Sequence, residues 1–235
     1  MTDAAVDKVI DDLVSGSRIL VRHNVLDAFG HVSARHPSRP DRFFMSKRVA
    51  PGLVTAEDFL EFDLSGELVE ASGTPVFVER YIHSEIYRRR PDVGSVVHSH
   101  SNSMITVGVV EGITLKPVCH MCGFIGKGAP VFEIRETAGD ASNLLVSTPT
   151  LGEALATKLD QANVVLMRGH GSTAVGPSVE LAVYRAVYAE TNARIQTAAM
   201  LLGPINALTP GEADATDEMN AVHVGRSWDF WKSEL

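Results

Sequence analysis

Residues 93–101 read VGSVVHSHS, and no other stretch restricts the fold as tightly. The β-branched run after Pro91 and Asp92 predicts a buried strand, in which residues two apart point to one face. His98 and His100 therefore project together. Two neutral imidazoles at a strand's end are half of a metal site, because a third protein ligand would leave one position open for catalysis. They are equally an ordinary polar pair at a strand edge, and His-x-His alone does not choose.

Around this strand the chain alternates helical and extended patterns. Val6, Ile10, Leu13, Val14, Leu20 and Val21 recur at three- and four-residue spacing and predict a helix over residues 3–28. A turn at Gly30 enters an alternating segment ending at Arg35, and residues 43–46 complete a β-hairpin. Residues 55–58 have the pattern of a capped turn, and residues 59–69 that of a strand, a Ser65-Gly66 turn and a second strand. In residues 75–90, Phe77, Tyr81, Ile82 and Ile86 with Tyr87 give a helical stripe that Pro91 ends. Glu79 falls in the first turn of that helix and His83 one turn later on the same face. An acid there commonly serves the helix dipole, so Glu79 by itself assigns no chemistry.

Further along, residues 130–132 and 163–167 read as strands and residues 150–161 and 178–202 as helices. The second strand runs directly into Arg168-Gly169-His170-Gly171. Glycines on both sides of His170 imply that backbone passes close to something, or bends sharply, where the imidazole is presented. The tail contains Thr209-Pro210-Gly211-Glu212-Ala213, which reads as flexible, and then Trp228, Phe230 and Trp231, which anchor it to a body.

Composition narrows the partners. The 235 residues, 45% hydrophobic, suffice for one domain over residues 1–235, with 203–235 as a C-terminal tail. With 21 basic and 29 acidic residues the net charge is -8, which argues against a nucleic acid or an anionic membrane and for a small molecule. No apolar run reaches transmembrane length and the N-terminus lacks a signal-peptide pattern, so a cytoplasmic location is expected. Cys119 and Cys122 form a single C-x-x-C and read as two small buried residues ahead of a redox or metal role. Ser46-Lys47-Arg48 places two cations on a loop, suited either to an anion or to plain solubility.

Gly30-His31-Val32-Ser33, Glu79, His83, His98-Ser99-His100 and Arg168-Gly169-His170-Gly171 occur in that order and resemble the class II aldolase/adducin family over about residues 8–200. The resemblance implies an α/β fold: a single domain whose central, mostly antiparallel sheet is flanked by helices. It implies a homo-oligomer, tetramer or larger, with active sites at subunit interfaces. Position by position, His98, His100 and His170 become ligands of one divalent metal per subunit, zinc or manganese. Glu79 becomes the acid/base residue that also touches the metal when substrate is absent. His83 matches a position where packing outweighs chemistry.

The departures from the family pattern indicate the cargo. Family members acting on sugar phosphates use a Gly-Asn-x-Ser turn and serines just before the acid, whereas here His31 takes the Asn position and Phe77 and Val78 the serine positions. Apolar side chains offer a dianion no donors. The Gly-His-Val-Ser turn, Ser-x-x-x-Ala-Pro from Ser46 and His-Met-x-Gly-Phe from His120 more closely resemble the family's decarboxylases. Those act on flat rings bearing a hydroxyl ortho to the leaving carboxylate and a second carboxylate beside it. The resemblance thus implies a metal-dependent decarboxylase of an ortho-hydroxy aromatic dicarboxylate, benzene or pyridine, in aromatic catabolism. Proton delivery falls to Glu79, His31 or His120, the last replacing a neighbouring subunit's tyrosine, while Ser46, Lys47 and Arg48 would hold the spare carboxylate. Two other readings stay open. One is a metal-dependent aldolase or epimerase on a non-phosphorylated hydroxy acid or sugar. The other is a metal-free adducin-like scaffold, against which stand histidines at all three ligand positions.

Overall fold

The computed structural model describes residues 4–70 and 73–235. Its strands are β1 (His31–Arg35), β2 (Arg42–Ser46), β3 (Phe59–Asp63), β4 (Ser95–Ser99), β5 (Val131–Phe132), β6 (Val164–Met167) and β7 (Gly171–Gly176). Among the described residues these seven form one sheet in the order β3-β2-β1-β4-β7-β6-β5. Every neighbouring pair is antiparallel except β5 with β6. The helices are α1 (Ala4–Arg22), α2 (Arg80–Arg89), α3 (Asn102–Gly108), α4 (Arg135–Ala138), α5 (Pro149–Leu159), α6 (Val179–Leu202) and α7 (Pro210–Ser233). The expected α/β domain with a mostly antiparallel sheet is the fold observed. No described helix is long and apolar enough to cross a membrane.

Strand alternation divides the interior into two cores. Val97, Ala174, Leu166 and Phe44 face a cluster that includes Leu13, Leu20, Val107 and Val183 from α1, α3 and α6. Val96, Val175, Val165, Met167, Phe43 and Met45 face the other, with Ile82, Ile86, Leu155 and Leu159 from α2 and α5. Helices cover both faces, so central strands such as Ser95–Ser99 are buried throughout and have no solvent-facing side. The alternation also places side chains for chemistry. His98 shares the face of Val96, and β1 pairs with β4 in the register His31 with His98 and Ser33 with Val96. All four therefore point toward α2.

Several local expectations change. Helix α1 ends at Arg22 because Asn24 adopts a left-handed φ of 57° that stops the helix; Asp3, placed in it from the sequence, lies outside the described residues. Helix α2 begins at Arg80, so Glu79 is its N-cap rather than a first-turn residue, and its side chain makes no capping bond. The second strand expected within residues 59–69 is reduced to a single bridge from Phe62 to Leu68. Strand β7 was not expected, since GSTAVG carries no apolar run; its small residues are nevertheless all buried. The segment read as flexible starts α7. Pro210 occupies the first turn, where its missing N–H is no loss, and Thr209 and Glu212 form a reciprocal capping box. Trp228 and Trp231 are buried and anchor α7, Trp231 lying 4.9 Å from His23 and 6.1 Å from Tyr188 between ring centres.

Candidate active site

The end of β4, the turn before β7 and the start of α2 meet at one point. His98 is the fourth residue of β4 and His100 follows the strand. His170 sits in the turn between β6 and β7, where Gly169 has φ +69°. A Cβ on Gly171 would stand 1.9 Å from the carbonyl oxygen of Ser99, so only glycine lets this turn close against β4. The close passage expected at His170 is thus a contact with the backbone beside His98 and His100.

The side chains converge. Nε2 of His100 lies 3.1 Å from Nε2 of His98 and 3.0 Å from Nε2 of His170. The Glu79 carboxylate is 3.6 Å from His98 Nε2 through Oε2 and 3.7 Å from His170 Nε2 through Oε1. One ligand atom from each of the four lies within 4.8 Å of the others. A tetrahedral ion bound at about 2.0–2.1 Å holds its ligand atoms roughly 3.3 Å apart, so spacing and donor types fit a divalent metal. Burial lowers the pKa of His98 far below the usual imidazole value, with His170 and His31 adding to the effect. Burial likewise lowers His100 and His170, opposed by Asp27 and Glu79 respectively. Neutral imidazole is the ligating form. Burial raises Glu79, against the pull of His170 and an N–H from Val146 that donates to Oε1 at 3.2 Å.

Beside the cluster lies His31, its ring centre 5.1 Å from that of His98. His31 Nδ1 is 2.7 Å from His83 Nε2, His83 Nδ1 is 2.6 Å from Ser33 Oγ, and Ser33 Oγ is 2.7 Å from the Tyr87 hydroxyl. Glu79, His83 and Tyr87 follow at four-residue intervals, so α2 lays one line of polar groups against β1 and β4. In the sequence Tyr87 belongs to an apolar stripe and Ser33 only to the Gly-His-Val-Ser turn. Their four- and two-residue spacings from His83 and His31 were the available signal.

Two aromatic rings flank this region. Phe29, 63% exposed, stacks on His100 at 6.1 Å between ring centres, and Phe77 lies 4.7 Å from His31. The other expected residues divide. Ser46 is buried at the end of β2. Lys47 is tied to Asp58 by a 2.7 Å ion pair. Arg48 is exposed and pairs with no acid among the described residues, while its backbone N–H donates to Pro75, close before Phe77 and Glu79. His120 stands exposed on the turn His120–Ile125, where its carbonyl accepts from Asn220 of α7, and it is not one of the four clustered residues. Cys119 and Cys122 are free thiols, half-buried and buried.

Residues 11–197 match the family described as the class II aldolase and adducin N-terminal domain. The chain belongs to this family. It is 40% identical over 245 residues to the decarboxylase tropJ of Talaromyces stipitatus, covering 94% of this chain and 92% of that one. It is 29% identical over 136 residues to a 3,4-dihydroxyphthalate decarboxylase of Terrabacter sp., a match limited to 56% of this chain and 53% of the relative. Among solved structures, an aldolase II superfamily protein from Pseudomonas syringae superposes with a TM-score of 0.81 at 22% identity, over 99% of this chain and 94% of that one. That likeness is one of fold.

Proposed function

We propose that this family member is a divalent-metal-dependent decarboxylase acting on an ortho-hydroxy aromatic dicarboxylate. The observation that carries the reading is the cluster of Glu79, His98, His100 and His170 with aromatic rings, Phe29 and Phe77, beside it. Flat rings suit a flat substrate, and Phe77 with Val78 offers no hydroxyl to a phosphate. The similarity to two decarboxylases supports the same reaction type.

His98, His100 and His170, with Glu79 when substrate is absent, would hold the ion. A divalent metal there, zinc or manganese, would supply Lewis acidity to negatively charged oxygens of the substrate. The chain's own groups do the rest. As the bond to the carboxylate breaks, its electron pair remains on the ring carbon, which must take a proton. Glu79, its carboxylate 3.6 Å from His98 and 3.7 Å from His170, would deliver it, and burial raises its carboxyl from the ordinary value in the direction an acid needs. Arg48, unlike Lys47, has no acid partner among the described residues and is the better anchor for a second carboxylate, with Ser46 as a minor donor. His120 would serve only from a neighbouring chain of a homo-oligomer, tetramer or larger.

The test is carbon dioxide release from 3,4-dihydroxyphthalate and related hydroxy-dicarboxylates by protein loaded with zinc or manganese. Release matched by formation of the ring lacking one carboxylate supports the reading. Cleavage of a non-phosphorylated hydroxy acid into two carbonyl fragments would move it to an aldolase, and a protein that takes up neither ion and is inert toward both substrates would be a scaffold.

A further inference from the structure

Beside the cluster runs a second chain of buried polar groups, Tyr87, Ser33, His83 and His31, which are between 0% and 3% exposed. Its three contacts of 2.6–2.7 Å are each short enough for a hydrogen bond. Tyr87 fixes their direction. Ser33 Oγ is the one side-chain partner of its hydroxyl among the described residues, and the backbone N–H of Val96 that also meets it is a donor, so a Tyr87 proton pointed elsewhere would be buried without an acceptor, a loss of about 1–3 kcal/mol. Tyr87 therefore donates to Ser33. Ser33 has one proton to give, and it goes to Nδ1 of His83. His83, neutral because burial drives its pKa to about 3, then carries its proton on Nε2 and donates to Nδ1 of His31. The single proton of neutral His31 is left on Nε2, the nitrogen that no described residue engages.

We propose that Tyr87, Ser33 and His83 are positioning residues that lock His31 as the Nε2–H tautomer and present that N–H to the substrate at the cluster. What the N–H is for rests on the proposed function; the polarity of the chain does not. The far end is braced as well as buried. Arg35 places its guanidinium 4.7 Å from the centre of the Tyr87 ring and donates to the Tyr87 carbonyl at 2.9 Å. Burial pushes the Tyr87 phenol well above its ordinary pKa, so the chain ends in a group that keeps its proton. It orients His31 and does not conduct protons. His31 then acts as a hydrogen-bond donor to an oxygen of the departing carboxylate or of the ring hydroxyl, complementing Glu79 as the acid.

Histidine ring ¹⁵N spectra of the zinc-loaded protein read the tautomer directly, with the His31 signals identified by their loss in His31→Gln. The expected result is a proton on Nε2 and a bare Nδ1. A proton on Nδ1 overturns the proposal whatever reaction the protein catalyses, whereas absence of carbon dioxide release with the expected tautomer would count against the decarboxylase alone. His83→Gln keeps an amide N–H where His83 Nε2 stood and should hold the tautomer and keep kcat within about 3-fold, while His83→Leu should mix the tautomers and lower kcat by ~10–100-fold with metal content unchanged. Equal kcat in the two variants would reduce His83 to a filler and overturn the relay. Should His83→Leu fail to fold, the wild-type tautomer still decides.

Discussion

Two clusters of buried polar groups lie side by side beneath α2, and they are built on opposite principles. In the chain from Tyr87 to His31 each of the three contacts pairs one donor with one acceptor, and only the Nε2–H of His31 is left for a further partner. In the cluster of Glu79, His98, His100 and His170, four groups point their acceptor atoms at one another across 3.0–3.7 Å. With each imidazole in the tautomer that leaves Nε2 bare, the form a metal ligand takes, these facing atoms have no donor among them and a cation fills that role. Burial disfavours extra protons on the three histidines, so the second cluster suits a cation in a way that the first does not.

This contrast can be broken experimentally. The largest effect should come from His98→Ala or His170→Ala, in which metal affinity falls by more than ~100-fold and decarboxylation disappears with it. Full metal content in either variant would remove that histidine from the ligand set. Glu79→Gln preserves the three imidazoles and should retain metal while losing about 10²–10⁴-fold in kcat, read by assaying metal and turnover on one preparation. Stability separates the clusters from the other side. In chelator-treated protein Ser33→Ala should cost about 1–3 kcal/mol in denaturant unfolding, because it strands His83 and Tyr87, whereas His100→Ala, which thins a crowd of acceptors, should cost less. A reversed order would mean that the ligand cluster is satisfied without metal.

Smaller effects are expected at the rim. Arg48→Ala should raise KM for a dicarboxylate by about 10-fold and leave kcat nearly unchanged; an unmoved KM would return Arg48 to the solvated surface. Lys47 should contribute to folding instead, through Asp58. The Lys47 ammonium, together with donors from Thr55, holds the Asp58 carboxyl below its ordinary pKa. A depressed carboxylate stabilises the fold above its unfolded pKa and loses that contribution as pH falls through the folded value. The acid limb of an unfolding profile should therefore be flatter in Asp58→Asn than in the wild type.

The fold was legible where burial leaves a mark on composition. Val96 with Val97, Phe43 with Phe44, and residues 164–167 are apolar because both faces of the sheet are covered, and they lie in strands. Strand β7 escaped because Gly171, Ser172 and Ala174 fill a crowded place with small side chains, and small residues carry no strand signature. At Thr209-Pro210-Gly211-Glu212 the same letters serve a loop and a capped helix start, and Glu212 reaching back to Thr209 decides between them. The convergence of the three histidines and Glu79 is what the family resemblance implies, whereas the contacts of Tyr87 are not. A tyrosine inside an apolar stripe looks like packing until the strand register sets Ser33 opposite Val96, on the face toward α2. The departure of Glu79 from the helix has a similar lesson. As an N-cap that leaves the helix N–H groups alone, its carboxylate is free to join the histidines.

Titration of zinc and of manganese into chelator-treated protein, followed calorimetrically, tests the central claim most directly. One equivalent should bind per chain in the wild type, and binding should vanish in His98→Ala while the Tyr87→Phe variant still takes up one equivalent. Failure of the wild type to bind either ion, or undiminished binding by His98→Ala, would contradict the assignment of the cluster as a metal centre.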